Sequence, residues 1–224
     1  DTERMLIPTM MRKIDFDEAA LYKANGTADP YLPLLSQNIS IVEVGAYSHI
    51  FDKFIDFLGI KTLIITDLDA VNGDDKKCRV DNGVNYSNSA LSYYFNEPSL
   101  NDLKNYVLSD KVFNKVGGSW SVNPEGKLCV VYQTNENGYN ARSFEDAFIH
   151  LNRDFVNSNK DVFRGLKSKR YFDDGNKDAY ELASECILKK TYFAMDIIFH
   201  TDKNYSNWQI PAYIKDGLLW LKKD

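Results

Sequence analysis

The segment Lys61-Thr-Leu-Ile-Ile-Thr-Asp-Leu-Asp69 constrains this chain more than any other. Thr62 to Ile65 are apolar or β-branched and are bounded by polar residues, which predicts a buried central strand of a parallel sheet. Side chains alternate faces along a strand, so a strand continued to its end projects Asp67 and Asp69 together from its carboxyl tip. In open α/β sheets, ligands bind along that edge. Two carboxylates fixed side by side repel unless one is protonated or a cation lies between them. The simplest such cation is a hard divalent ion, which takes oxygen ligands. The same Asp-x-Asp spacing also suits a turn opened by an Asx hydrogen bond.

The residues before this segment predict a strand–helix–strand unit, the mark of a parallel sheet. Ile39-Ser-Ile-Val-Glu-Val44 reads as a strand closed by Gly45. Tyr47 to Leu58 reads as an amphipathic helix with Ile50, Phe51, Phe54, Ile55 and Leu58 on its apolar face, stopped by Gly59. Glu43 is either a further site carboxylate or a polar residue facing a helix.

Elsewhere the pattern is read from caps and periodicity. Thr2 to Ile14 predicts a helix with Met5, Leu6, Met10 and Ile14 as its stripe, and Glu3 in the first turn, where the helix dipole favours a negative charge. Residues 15–38, with Asn25-Gly26, Asp29-Pro30 and Pro33, read as a loop with one helical turn at most. Val71 to Asn88 reads as a polar surface loop, followed by helices over Ser89–Phe95 and Ser99–Leu108 with Asn88 or Ser89 and Ser99 as caps. Gly117-Gly118 marks a turn, and Lys127 to Gln133 a further strand. Arg142 to His150 opens a helix, with Ser143 as N-cap and Asp146 as an acidic capping-box partner. Glu145 and Asp146 lie in its first turn, so they either converge with Asp67 and Asp69 or only complement the dipole. Residues 157–177 form the one dense basic stretch, which contacts phosphate or is simply solvated. Asp178 to Phe199 reads as one long helix with Lys189 and Lys190 in its middle, and Pro211 to Lys222 as a last helix.

Composition sets outer limits. Of 224 residues, 44% are hydrophobic and 26% charged, as in ordinary globular proteins. A net charge of −5 gives no global attraction to nucleic acid, so a nucleic-acid role needs a local basic patch or neutralising cations. Cys78, Cys129 and Cys186 are scattered outside any metal spacing, which predicts reduced thiols and a cytoplasmic setting. No apolar run reaches membrane-span length and no signal peptide is visible, so no membrane role is expected. His49, His150 and His200 share no ligand spacing and read as structural. The chain starts without methionine, directly in an amphipathic pattern, which reads as a piece of a longer protein.

Taken in order, Asp1-Thr-Glu-Arg-Met-Leu-Ile-Pro, Ile-Val-Glu-Val-Gly-Ala, Ile-Thr-Asp-Leu-Asp, Ala-Arg-Ser-Phe-Glu-Asp-Ala-Phe-Ile, Lys-Lys-Thr-Tyr-Phe-Ala-Met-Asp and Trp-Gln-Ile-Pro-Ala-Tyr-Ile-Lys-Asp-Gly-Leu-Leu-Trp-Leu resemble the C-terminal Toprim nuclease region of the OLD family of ATP-dependent endonucleases, a group that includes Gabija-type nuclease-ATPases. The resemblance implies an α/β, Toprim-like fold: a mostly parallel sheet flanked by helices, with an additional helical part. It divides the chain into a catalytic core over 1–150, cut at its N-terminal edge, and a helical part over 151–224. It implies DNA cleavage with Mg²⁺ or Mn²⁺, with two ions expected. Metal binding would fall to Glu3, Asp67, Asp69 and either Glu145 or Asp146; Lys190 would stabilise the transition state. The first glutamate of the family's Glu-Gly-x-x-Glu element would fall before residue 1. ATP, an N-terminal ATPase domain and homo-oligomerisation belong to the longer parent, with a role in phage defence or DNA processing. A catalytically silent Toprim-like docking module is the alternative.

Overall fold

A computed structural model describes residues 2–26 and 31–222; Asp29-Pro30 and Asp1 lie outside the described residues. The helices are α1 (Thr2–Ala24), α2 (Asp52–Leu58), α3 (Ser89–Phe95), α4 (Leu100–Asn105), α5 (Phe144–Leu151), α6 (Arg153–Asn159), α7 (Ala179–Cys186), α8 (Lys190–His200) and α9 (Ala212–Lys222). The strands are β1 (Thr62–Ile65), β2 (Ala70–Val71), β3 (Asn85–Tyr86), β4 (Val112–Val116), β5 (Ser119–Val122), β6 (Leu128–Val131), β7 (Asn135–Glu136) and β8 (Tyr139–Asn140). By contacts the chain forms two compact units, each of two segments: 1–43 with 148–210, and 44–147 with 211–224. These units interleave along the chain, whereas the resemblance suggests a linear cut after residue 150.

The second unit carries the α/β architecture. Its main sheet runs β1-β6-β4-β5, with β1 and β6 parallel and the β4–β6 and β4–β5 pairings antiparallel. β1, expected as a buried central strand, is an edge strand of this sheet with only Ile64 buried, and its pairing with β6 is parallel. The β4–β5 hairpin turns on Gly117 and Gly118, whose φ values of 59° and 88° suit a tight turn. Alternation divides the residues of β1 and β6 between two faces. Ile64, Leu128 and Val130 join Leu91, Tyr94, Leu100 and Leu103 in one core cluster. On the other face α9 packs against β1 and β6. Gly217 permits that approach, because a Cβ there would meet Leu63 Cδ1 at 2.9 Å and Val131 Cγ2 at 3.1 Å. The caps at Asn88 and Ser99 form as expected, the second as a capping box with Asp102.

The segment Ile39–Val44 forms no strand. It makes no ladder hydrogen bonds, and Glu43 is ion-paired to Arg4 of α1 at 2.5 Å. The expected strand–helix–strand unit is thus incomplete. The residues 45–58 split into a 3₁₀ stretch and α2, which leaves Ile50, Phe54 and Phe57 exposed while Ile55 packs on the core. Gly59 ends α2 in the left-handed conformation, as its position predicts.

The first unit is helical. α1 buries Leu6, Met10 and Ile14 and runs past Ile14 to Ala24, through a stretch containing the helix formers Glu18, Ala19 and Ala20. α1 packs on α8. Phe148, Phe155, Phe163 and Phe193 form a chain of edge-to-face rings at centroid spacings of 5.9 to 6.4 Å. The long helix expected over 178–199 is broken between Cys186 and Lys190. A distant segment causes the break. Leu188 N donates to Gly165 O at 2.8 Å, Lys167 N to Cys186 O at 2.8 Å, and Gly165 N to Asp196 Oδ2 at 2.6 Å. Gly165 is required there, since a Cβ would lie 2.3 Å from Phe193 N. The basic stretch 157–177 includes the end of α6 and a 3₁₀ turn, and several of its cations are engaged: Lys160 with Asp173, and Lys177 with Glu185 at 2.9 Å.

Candidate active site

β1 ends at Ile65, and Thr66 N extends its ladder by one bond to Val131 O at 3.0 Å. Asp67 and Asp69 therefore stand on the connection beyond the strand. Asp69 has φ 55°, a left-handed conformation that aspartate tolerates better than most residues. Strand alternation accordingly does not align the pair; hydrogen bonds from neighbouring elements place each carboxylate separately.

Asp67 is held from two directions. Its Oδ1 accepts from Gln133 Nε2 at 2.6 Å and from Phe144 N, at the start of α5, at 3.0 Å. Ile65 pairs with Val131 in register, so two residues further along parallel chains Asp67 and Gln133 come abreast. Gln133 is fully buried, takes Leu68 N on its Oε1 at 2.7 Å, and donates to Tyr213 Oη at 3.1 Å. Asn88 caps α3 and donates from Nδ2 to Asp67 O at 2.6 Å and to Thr66 Oγ1 at 2.7 Å.

Asp69 is fastened to the loop before α5. Its N donates to Arg142 O at 3.2 Å, its O accepts from Ser87 N at 3.0 Å, and its Oδ1 pairs with Arg142 Nη2 at 2.9 Å. Arg142 Nε also donates to Ala70 O at 3.0 Å.

The α5 entrance carries the other acids of this unit. Both are buried, Glu145 at 3% exposure and Asp146 at 1%. Asp146 accepts from Ser143 N at 2.7 Å and Ser143 Oγ at 2.6 Å on one oxygen, and from Arg142 N at 2.8 Å and Tyr139 Oη at 3.3 Å on the other. Burial pushes its carboxyl pKa upward, against the pull of the Ser143 and Arg142 hydrogen bonds. Asp146 thus fills the capping role predicted for it. The bond from Phe144 N ties Asp67 to the helix turn that bears Glu145 and Asp146.

Glu3 and Lys190 lie in the first unit, in the first turn of α1 and at the first position of α8. The break before α8 moves Lys190 from a mid-helix position to an exposed helix start. Gln133 and Arg142 carry no motif of their own in the sequence. Gln133 was visible only as the end of a strand, and its partner follows from the parallel register; Arg142 was visible only as the residue before a cap.

A divalent cation suits the donor set in kind. Mg²⁺ commonly uses one or two carboxylates and keeps several waters. Among the described residues no three His, Cys, Asp or Glu side chains gather into a metal-holding group. Among them also, no helix is long and apolar enough to cross a membrane.

The OLD-like Toprim family (Overcoming lysogenization defect protein-like, TOPRIM domain) matches residues 1–69, a span that contains Glu3 and closes on Asp69. The chain is 28% identical over 204 residues to Endonuclease GajA of Bacillus cereus (strain HuB5-5), covering 83% of this chain and 27% of that protein. The chain thus spans about a quarter of the length of this relative. No solved structure matches it.

Proposed function

We propose that this chain is the divalent-metal-dependent endonuclease domain of a larger ATPase–nuclease that cleaves DNA, in phage defence or DNA processing. The observation that carries the reading is the Asp67 carboxylate fixed between Gln133 and the first turn of α5, next to Asp69, at the end of the Toprim match. The likeness to a protein named an endonuclease supports it.

Asp67 and Asp69 would hold Mg²⁺ or Mn²⁺, with Glu145 as a further ligand and Asp146 as the helix cap of the turn that bears it; the resemblance also assigns a ligand role to Glu3. Such a cation, when bound, lowers the pKa of a water and screens phosphate charge. Gln133 and Phe144 N keep Asp67 from rotating. Lys190, a cation at a helix start where the dipole is also positive, suits binding of a phosphate oxygen. ATP would act only in the ATPase domain of the parent, which is expected to assemble as a homo-oligomer.

The test is cleavage of supercoiled plasmid by the full-length parent, with Mg²⁺, Mn²⁺ or chelator. The expected result is nicked or linear DNA with either metal and none with chelator. Cleavage that survives chelation, or a parent inert with both metals, contradicts the proposal, and the second outcome favours a docking module.

A further inference from the structure

The carboxylate pair is served by two non-acidic side chains, one for each aspartate. Gln133 takes Asp67, and Arg142 takes Asp69. The Arg142 contacts have a particular geometry. Its Nη2 lies 2.9 Å from Asp69 Oδ1 while its Nε lies 3.0 Å from the carbonyl of the next residue, Ala70. Its own carbonyl accepts from Asp69 N at 3.2 Å, and its own N donates to Asp146 Oδ2 at 2.8 Å. Backbone and side chain of one residue therefore grip both the left-handed Asp69 and the cap of α5. A planar guanidinium makes such a two-pronged contact, and a lysine ammonium on a flexible stem does not.

We propose that Arg142 is a positioning residue for the metal-binding aspartates: it holds Asp69 Oδ1 and so orients the carboxylate for its cation. This rests on the nuclease reading above. Arg142 would act through Asp69, and no direct contact with substrate or metal is assigned to it. Its positive charge also offsets the mutual repulsion of Asp67 and Asp69 while no cation is bound. On charge alone, removing Arg142 would tighten cation binding, and a lysine would behave like arginine. On orientation, both changes weaken it. The two-pronged geometry favours orientation.

The experiment measures Mn²⁺ binding by electron paramagnetic resonance, and plasmid cleavage, for the full-length parent and its Arg142→Lys and Arg142→Ala variants, with thermal unfolding as the check on folding. The expected result is a Mn²⁺ dissociation constant raised by about 10–100-fold in Arg142→Lys, with cleavage reduced in step and the variant still folded, as for other residues that orient metal ligands. Arg142→Lys with wild-type Mn²⁺ affinity overturns the proposal, as does tighter binding by Arg142→Ala. A purely structural strut would lower the melting temperature while the folded protein kept its Mn²⁺ affinity, and that too overturns it. If the wild-type parent neither binds Mn²⁺ nor cuts DNA, the nuclease reading itself fails. If it does both and Arg142→Lys matches it, only the role of Arg142 fails.

Discussion

Gln133 Nε2 lies 2.6 Å from Asp67 Oδ1, and the same amide accepts Leu68 N on its oxygen at 2.7 Å. One buried side chain thus fixes both the carboxylate and the backbone that follows it. Gln133→Met keeps the volume and removes these two hydrogen bonds together with the one to Tyr213 Oη. It is expected to cost about 1–3 kcal/mol, because Leu68 N loses a buried partner. It is also expected to weaken Mn²⁺ binding by about 10–100-fold. Calorimetric titration of the folded variant checks the second figure, and an unchanged affinity would show that Asp67 needs no such support.

Asp146 is expected to separate from Glu145 by the kind of damage its loss causes. Asp146→Ala strips partners from Ser143 N and Arg142 N, so a stability loss of about 1–3 kcal/mol is expected in urea unfolding. Glu145→Gln keeps the volume of this buried side chain and is expected to abolish cleavage while the protein still folds. The reverse pattern would make Asp146 the ligand.

Lys190 heads α8, where its charge opposes the helix dipole. Lys190→Ala is therefore expected to leave the melting temperature unchanged or slightly raised. Cleavage should fall by about 10²–10³-fold if the ammonium binds a phosphate oxygen that gains charge in the transition state. Gly165→Ala acts differently: its Cβ would press on the Phe193 backbone, so loss of activity should accompany loss of folded protein. A Lys190→Ala variant that cuts normally removes Lys190 from the site.

Lys111 supplies a pH test of packing. Its ammonium lies 3.9 Å from the centroid of the Tyr132 ring, and burial lowers its pKa from 10.5 to about 8. Between those values the unfolded chain binds more protons at this group than the folded one, so its contribution to stability rises as pH increases from about 8 towards 10.5. Buried Cys129 works in the opposite sense: burial raises its pKa, and its contribution falls as pH rises above its ordinary value of 9.0. Lys111→Met should abolish the alkaline gain. Urea unfolding at pH 7.5 and 9.5 measures it, and equal pH responses in wild type and variant would contradict the assignment.

Much of this arrangement was legible in local patterns. Thr62–Ile65, the Asn88 and Ser99 caps, Gly59, the Gly117-Gly118 turn and the Ser143–Asp146 cap are each decided by neighbours within a few residues, and the structure forms them. The remainder depended on distant partners. Gly165 breaks the helix before Lys190 from more than twenty residues away. Gln133 and Arg142 gain their meaning only from the β1–β6 register and the left-handed turn at Asp69. Ile39–Val44 has the composition of a strand, yet composition cannot supply the ladder that would make it one.

The central claim is that Asp67 and Asp69 hold a divalent cation. Crystals of the protein soaked in Mn²⁺ and measured at the manganese absorption edge test it most directly. The account predicts an anomalous peak within about 2–2.3 Å of oxygens from both aspartates, absent in Asp67→Ala. An occupied manganese site elsewhere, with none between these two side chains, would contradict it.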